Sequence, residues 1–270
     1  MEFNNLTLKH DCPNNHTSIA FDDVYRTYKD DQNPEALFGK ALRYLSSLRV
    51  NHASAQQEII RGEIMESLFH TIYGSNRIEQ AGLGWDVTRF WVHGDDLMED
   101  VIKKTHEILC KGVPIIDPGA EYPDVPYEKY AGQYRDVPVG AGNTMFVMPQ
   151  YVPAKMAEMC ANLKKHIGEN ESLDPFSLAA KYSLRFVEIH PFQDGNGRMC
   201  RIILNAILFR YVGIFIPIGV TEEEVNEYIN IKKRASRDME GHGEYATFVL
   251  KKSVRSIQKL KQKVNGKKAA

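Results

Sequence analysis

The sequence predicts a mainly α protein that carries one β-hairpin. Three features point there. Apolar residues recur at helical spacing through most of the chain. Two short β-like runs flank a single Gly/Asn turn, and no strand–helix alternation of the kind that builds a parallel sheet follows them.

The elements follow in chain order. Residues 1–33 are polar, lack a clear period, and read as an irregular arm lying over the domain. After Asn33-Pro34 the pattern turns helical, with Leu37, Leu42, Leu45 and Leu48 on one face. A second helix spans about Ala53–Tyr73, Gly74 interrupts it, and a short helical turn follows from Ser75 to Gln80. A third covers about Asp96–Cys110 and stops at Lys111-Gly112. The Pro- and Asp-rich tract Ile115–Tyr130 reads as loop.

Gln133–Val139 and Thr144–Val147 then form the hairpin around Gly140-Ala141-Gly142-Asn143, with Pro138 keeping one strand at an edge. Val152 opens a helix with a stripe of Met156, Met159, Cys160, Leu163 and Ile167, and Pro175 opens one that runs to about Ile189. Further helices are expected from about Gly197 to Val212, Thr221 to Ala235 and Tyr245 to Lys261, before a basic tail from Lys263.

Composition limits the function. The 270 residues carry a formal net charge of −1, so there is no general attraction to nucleic acid or to anionic membranes. The N-terminus lacks the pattern of a signal peptide, and no apolar run approaches the ~18 residues that span a bilayer. Cys12, Cys110, Cys160 and Cys200 form no CxxC pair and no zinc spacing, as expected in a reducing compartment; the cytoplasm or nucleus is the expected location.

The chemistry is concentrated in His190-Pro191-Phe192-Gln193-Asp194-Gly195-Asn196-Gly197-Arg198-Met199-Cys200-Arg201. Pro191 biases His190 away from the helical region, so the preceding helix should end there. Gly195 and Gly197 allow a sharp turn and a close approach of backbone to a ligand. The next helix starts near Gly197 and presents unpaired N–H groups at its positive end. Arg198 and Arg201 share a face of its first turn, where cations oppose the helix dipole by up to ~1 kcal/mol each. A polyanion in front of the helix reverses that sign, and phosphate is the natural guest. A carboxylate at Asp194 beside phosphates calls for a divalent cation, ordinarily Mg²⁺. His190 can take a proton from an attacking hydroxyl. Each residue has an ordinary structural explanation alone: a helix-end histidine, an N-cap at Asp194 or Asn196, surface ion pairs for the arginines. Together they are the parts of phosphoryl or nucleotidyl transfer.

This stretch resembles the Fic family motif, HxFx[DE]GNGRxxR, at every defined position. The resemblance implies a helical Fic-type core with one β-hairpin flap over about 95–265, the flap within 132–148. Residues 1–33 would be the arm, 34–94 the N-terminal helices, and 266–270 a tail. It implies transfer of AMP from ATP, with Mg²⁺ or Mn²⁺, to a Ser, Thr or Tyr hydroxyl of a target protein. His190 would be the base, and Phe192 would anchor the loop in the core. Asp194 would hold the metal, and Gly195, Asn196 and Gly197 would cradle the anion. Arg198 would contact the phosphates, and Arg201 the γ-phosphate. The flap, including Tyr134, Arg135, Val137 and Val139, would hold the target by edge-strand pairing. Gly195-Asn196-Gly197 is similar to the nucleotidyl-transferring members rather than the kinase-like ones. A homodimer is a family habit that no residue here demonstrates.

Ser75-Asn76-Arg77-Ile78-Glu79 resembles the family's inhibitory helix, [ST]xxxE[GN], departing only at Gln80. Ser75 and Glu79 are four apart and share a helix face. The resemblance implies that Glu79 pairs with Arg201 in place of the γ-phosphate. The same glutamate serves removal of AMP in some members, so a deAMPylase is an alternative. A nucleotide-sensing module without transfer is another, and intact His190 and Asp194 count against it.

Overall fold

The computed structural model describes residues 18–27, 33–48, 54–79, 97–116, 124–141, 144–169, 172–235 and 242–266. The fold is mainly α. Among the described residues the elements run β1 (Ser18–Ile19), α1 (Pro34–Leu48), α2 (Ser54–Glu79), α3 (Glu99–Cys110), β2 (Gly140–Ala141), β3 (Thr144–Met145), α4 (Val152–Glu169), β4 (Ser172–Leu173), α5 (Pro175–Ile189), α6 (Asn196–Val212), α7 (Glu222–Ala235) and α8 (His242–Val264). No helix among them is long and apolar enough to cross a membrane. The chain divides into two compact units, one of Met1–Gln80, Asn170–Lys181 and Leu204–Ala270, the other of Ala81–Glu169 and Tyr182–Ile203.

In the first unit α1, α2 and α7 pack on α8. Asn33 caps α1, its Oδ1 accepting from the Glu35 N–H at 2.8 Å, and Pro34 takes the first helical position, where a missing N–H costs nothing. Three expectations change here. Gly74 does not break the second helix; α2 is continuous for 26 residues. A Cβ on Gly74 would lie 3.0 Å from the Ile218 carbonyl carbon and 3.1 Å from that of Gly219, and closer still to the Ile218 oxygen. The glycine therefore serves close packing within a helix, and its propensity cost is outweighed by tertiary contact.

The arm is also more regular than its polarity suggested. Ser18 and Ile19 pair in parallel with Ser172 and Leu173. The Tyr25 hydroxyl is buried and donates to Asp174 Oδ2 at 2.8 Å. Asp174 in turn caps α5, its Oδ1 accepting from the N–H groups of Phe176 at 3.0 Å and Ser177 at 3.1 Å. The last helix runs to Val264, into the expected tail: Lys263 lies inside α8, paired with Glu63 and, at 3.2 Å, with Glu66.

The second unit holds α3, the hairpin, α4, the C-terminal part of α5 and the start of α6, with α3 packed on α4. The hairpin is shorter than expected. Among the described residues Gly140↔Met145 and Ala141↔Thr144 pair, with one further bond of 3.4 Å from the Phe146 N–H to the Val139 carbonyl. Residues 142 and 143 lie outside the described residues. The run before Gly140 cannot extend the ladder, because Arg135 is tied elsewhere and Pro138 has no N–H.

Candidate active site

α5 ends at Ile189, immediately before the His190-Pro191 bond. His190 still closes a helical hydrogen bond, its N–H donating to the Phe186 carbonyl at 3.0 Å. Its φ is +53°, the one positive value at a non-glycine residue among the described residues. Pro191 thus ends the helix as expected, but His190 turns left-handed instead of extended. That conformation costs a side-chain-bearing residue roughly 1–2 kcal/mol and must be held from outside.

Arg135 holds it. Its N–H donates to the Pro191 carbonyl at 3.0 Å and its Nε to the His190 carbonyl at 2.6 Å. Nη1 donates to Val137 O at 2.9 Å, and Nη2 to Val147 O and, at 3.5 Å, Ile189 O. These carbonyls come from the end of α5 and from both sides of the hairpin. Arg135 is 5% exposed, and its side chain is an internal fastening of the hairpin. Tyr134 is also turned inward. Its ring is tilted against Phe192 at 5.7 Å, with the Lys103 ammonium 4.2 Å from its centroid. Val137 is exposed and Val139 half-buried.

Nδ1 of the His190 imidazole lies 3.1 Å from the Val187 carbonyl, which can only accept, so Nδ1 carries a proton; in the neutral ring this leaves Nε2 as the acceptor. The ring stacks face to face on Phe146, with centroids 3.7 Å apart and planes 8° apart.

The loop from Phe192 to Asn196 is closed by its own side chain. Asn196, 2% exposed, accepts from the Phe192 N–H at 3.0 Å and donates to the Phe192 carbonyl at 2.7 Å. Phe192 is fully buried and stacks on His106 at 3.6 Å and 3°. His106, on α3, accepts the Gly132 N–H on Nδ1 at 2.9 Å, so its proton is on Nε2, which lies 2.9 Å from the Asp194 carbonyl. Burial pulls the His106 pKa down to about 4 and keeps the ring neutral. Gly195 completes the turn at φ +76°, where a Cβ would press on His106 Nε2 at 3.0 Å and Cys110 Sγ at 3.1 Å. Burial pushes the Cys110 thiol up to about 11, so it stays protonated and acts as packing.

α6 begins at Asn196, and its first i→i−4 bond runs from the Met199 N–H to the Gly195 carbonyl at 3.0 Å. The N–H groups of the residues between have no acceptor within the helix. Beside them Arg198 is 2% exposed. Its Nη2 bonds Asp194 Oδ2 at 3.1 Å, while Nε and Nη1 have no hydrogen-bond partner among the described residues. A desolvated cation with spare donors at the positive end of a helix is poised for an anion. Arg201, three residues on, is 3% exposed. Asp194 is the one carboxylate of the motif, and its side chain is 44% exposed. No group of three or more His, Cys, Asp or Glu residues that could hold a metal occurs among the described residues. One accessible carboxylate suits Mg²⁺ that arrives with phosphates and keeps its waters, and does not suit a resident ion.

His190, Asp194, Gly195, Asn196, Gly197, Arg198 and Arg201 therefore share one loop and helix start, in the same unit as the hairpin. Ser75 and Glu79 belong to the other unit. Ser75 is buried in α2; the Glu79 side chain and Gln80 lie outside the described residues. His106, Arg135's fastening role and Phe146 were not foreseen. His106 shares the buried face of α3 with Leu109 and Cys110, and an amphipathic pattern gives such a histidine no special mark.

The Fic/DOC family pattern matches residues 96–208. A Fido domain-containing protein of Dictyostelium discoideum is 36% identical over 106 residues, which cover 39% of this chain and 72% of that protein. The chain belongs to the Fic/DOC family. Protein adenylyltransferase fic-1 of Caenorhabditis briggsae is 30% identical over 169 residues, 62% of this chain but only 29% of that protein, so the chain spans less than a third of this relative. The solved structure of Fic-1 from Caenorhabditis elegans superposes with a TM-score of 0.65 at 20% identity, covering 86% of this chain and 73% of that one; the likeness is one of fold. Within the Fic domain the matched residues include α3, the hairpin and the whole loop that carries His190 and Arg198.

Proposed function

We propose that this Fic protein is an autoinhibited protein adenylyltransferase, moving AMP from ATP to a Ser, Thr or Tyr hydroxyl of a target protein. The observation that carries the reading is Arg198, a buried guanidinium with spare donors at the N-terminus of α6, beside the carboxylate of Asp194. The names of relatives such as the C. briggsae protein adenylyltransferase support the substrate class.

In this reading the N–H groups of the first α6 turn and Arg198 receive the phosphates, with Arg201 toward the γ-phosphate. Mg²⁺ entering with the nucleotide would be held by Asp194 and would neutralise phosphate charge. His190 Nε2 takes the hydroxyl proton as the target oxygen bonds to the α-phosphorus. The bond from that phosphorus to the bridging oxygen breaks, and pyrophosphate leaves. The Asn196 side chain shapes the loop through Phe192, while its backbone N–H belongs to the first α6 turn.

Glu79 is the proposed brake. In support, α2 is continuous up to Glu79, and its last turns are anchored within their own unit. Gly74 lies against Ile218, Ile78 against Gly219, and Arg77 Nη1 donates to the Val220 carbonyl at 2.8 Å. A carboxylate on so fixed a helix end can stand in for a phosphate oxygen.

The test is self-labelling with ATP labelled on the α-phosphate, comparing wild type, Glu79→Gly and Glu79→Gly/His190→Ala. Strong labelling of Glu79→Gly alone supports transfer, base and brake together. Labelling that survives the histidine substitution refutes the base, and no labelling in any protein refutes forward transfer onto itself.

A further inference from the structure

The His190 ring is located by two contacts of different kinds. The bond from Nδ1 to the Val187 carbonyl, 3.1 Å, selects an edge of the imidazole, and the stack on Phe146, 3.7 Å and 8°, selects its plane. A flip about χ2 would exchange Nδ1 for Cδ2 and break that bond, so the bond fixes the edge but leaves the ring plane free to rock about it. The flat aromatic face restrains that rocking and keeps the N–H in line with the carbonyl.

Phe146 is itself fixed to the base through the backbone. Its N–H reaches the Val139 carbonyl at 3.4 Å. The carbonyl of the next residue, Val147, accepts from Arg135 Nη2, and the same guanidinium holds the His190 carbonyl through Nε at 2.6 Å. One buried cation thus ties the residue under the imidazole to the backbone that bears the imidazole.

We propose that Phe146 is a positioning residue for His190, holding the imidazole plane so that Nδ1–H stays on the Val187 carbonyl and Nε2 is the basic nitrogen, and that Arg135 sets the spacing of this pair. The proposal deepens the adenylyltransferase reading and rests on His190 acting as its base. It makes the hairpin part of the proton-accepting machinery as well as a surface for the target. A displaced hairpin would leave His190 in place on the chain but with its ring unset.

The experiment compares Phe146→Leu, Phe146→Met and Phe146→Tyr. Carbon and nitrogen NMR of labelled histidine reads the tautomer at alkaline pH, with His190→Gln identifying the signal among the 9 histidines. Transfer is measured in the Glu79→Gly background. Phe146 is half-buried, so all three replacements should fold, and melting temperatures check that. Wild type and Phe146→Tyr should show the Nδ1–H tautomer. Phe146→Leu and Phe146→Met should show a mixture, with kcat lower by roughly tenfold and KM for ATP unchanged within about twofold. An unaltered tautomer in Phe146→Leu and Phe146→Met overturns the proposal, and so does a rise in KM for ATP with kcat intact. A shifted tautomer in a protein that never transfers AMP supports the positioning role and counts against the adenylyltransferase reading, so the two failures are distinct.

Discussion

Replacing Asn196 by alanine is the sharpest test of how the phosphate loop is built. Asn196 is 2% exposed, and its amide satisfies both backbone groups of Phe192, a residue that is itself fully buried. Alanine strands an N–H and a carbonyl away from water, and each stranded group costs about 1–3 kcal/mol. Alanine's better helix propensity at the first position of α6 returns up to about 0.7 kcal/mol. A water entering the vacated volume would soften the loss. The expected cost is about 3 kcal/mol, near the middle of that range. It should appear locally, because the loop can open without the rest of the domain. Hydrogen exchange at the Phe192 amide is the direct assay, and about 3 kcal/mol corresponds to roughly a hundredfold faster exchange. Asn196→Asp keeps an acceptor for the N–H but faces the Phe192 carbonyl with a second acceptor, so it should exchange nearly as fast. Less than a threefold change in Asn196→Ala would refute the argument that this side chain holds the loop.

Three further outcomes follow from other contacts. His106 has a folded pKa of about 4 against an ordinary 6.5, so the unfolded chain binds more protons between those values. The contribution is therefore fully present above pH 6.5 and lost as pH falls toward 4. It amounts to about 3 kcal/mol, and urea midpoints measured across that window should fall more in wild type than in His106→Gln. Gly74→Ala should destabilise by about 1–3 kcal/mol despite its better helix propensity, since the new Cβ meets backbone of Ile218 and Gly219; a raised melting temperature would show that the helix and that segment part easily. Arg135→Lys keeps the charge but loses the planar fork that reaches several carbonyls, so it should cost about 2–4 kcal/mol and loosen the hairpin, measured as faster exchange at the Phe146 amide.

Some of this molecule is legible residue by residue. Pro34 and Pro175 open α1 and α5, and Pro191 stops α5, because proline's missing N–H and fixed φ act on the nearest neighbours whatever the fold. The twelve residues from His190 to Arg201 disclose their chemistry for the same reason: a helix start, two glycines, two arginines, a carboxylate and a histidine lie within one loop and one helical turn. Proximity along the chain guarantees proximity in space at that range. The family pattern then extends the same local information to a fold.

What only the tertiary structure decided lies in contacts that cross long stretches of chain. Gly74 looked like a helix break, and it became a helix interior because residues 218–219 press against it. Arg135 looked like part of a docking strand; its partner His190 is 55 residues away, and the carbonyls there claim the guanidinium. Nothing in the sequence marked His106, and it supports Asp194 across 88 residues. The polar arm has no period of its own, yet Tyr25 is buried against Asp174, 149 residues on. The physical reason is common to all four. Local propensities are worth tenths of a kcal/mol to about 1 kcal/mol, whereas a buried cation or carbonyl left without its partner costs several times that. The sequence by itself placed the candidate groups of the loop side by side and marked the helix ends that prolines govern; packing decided which distant groups hold them still.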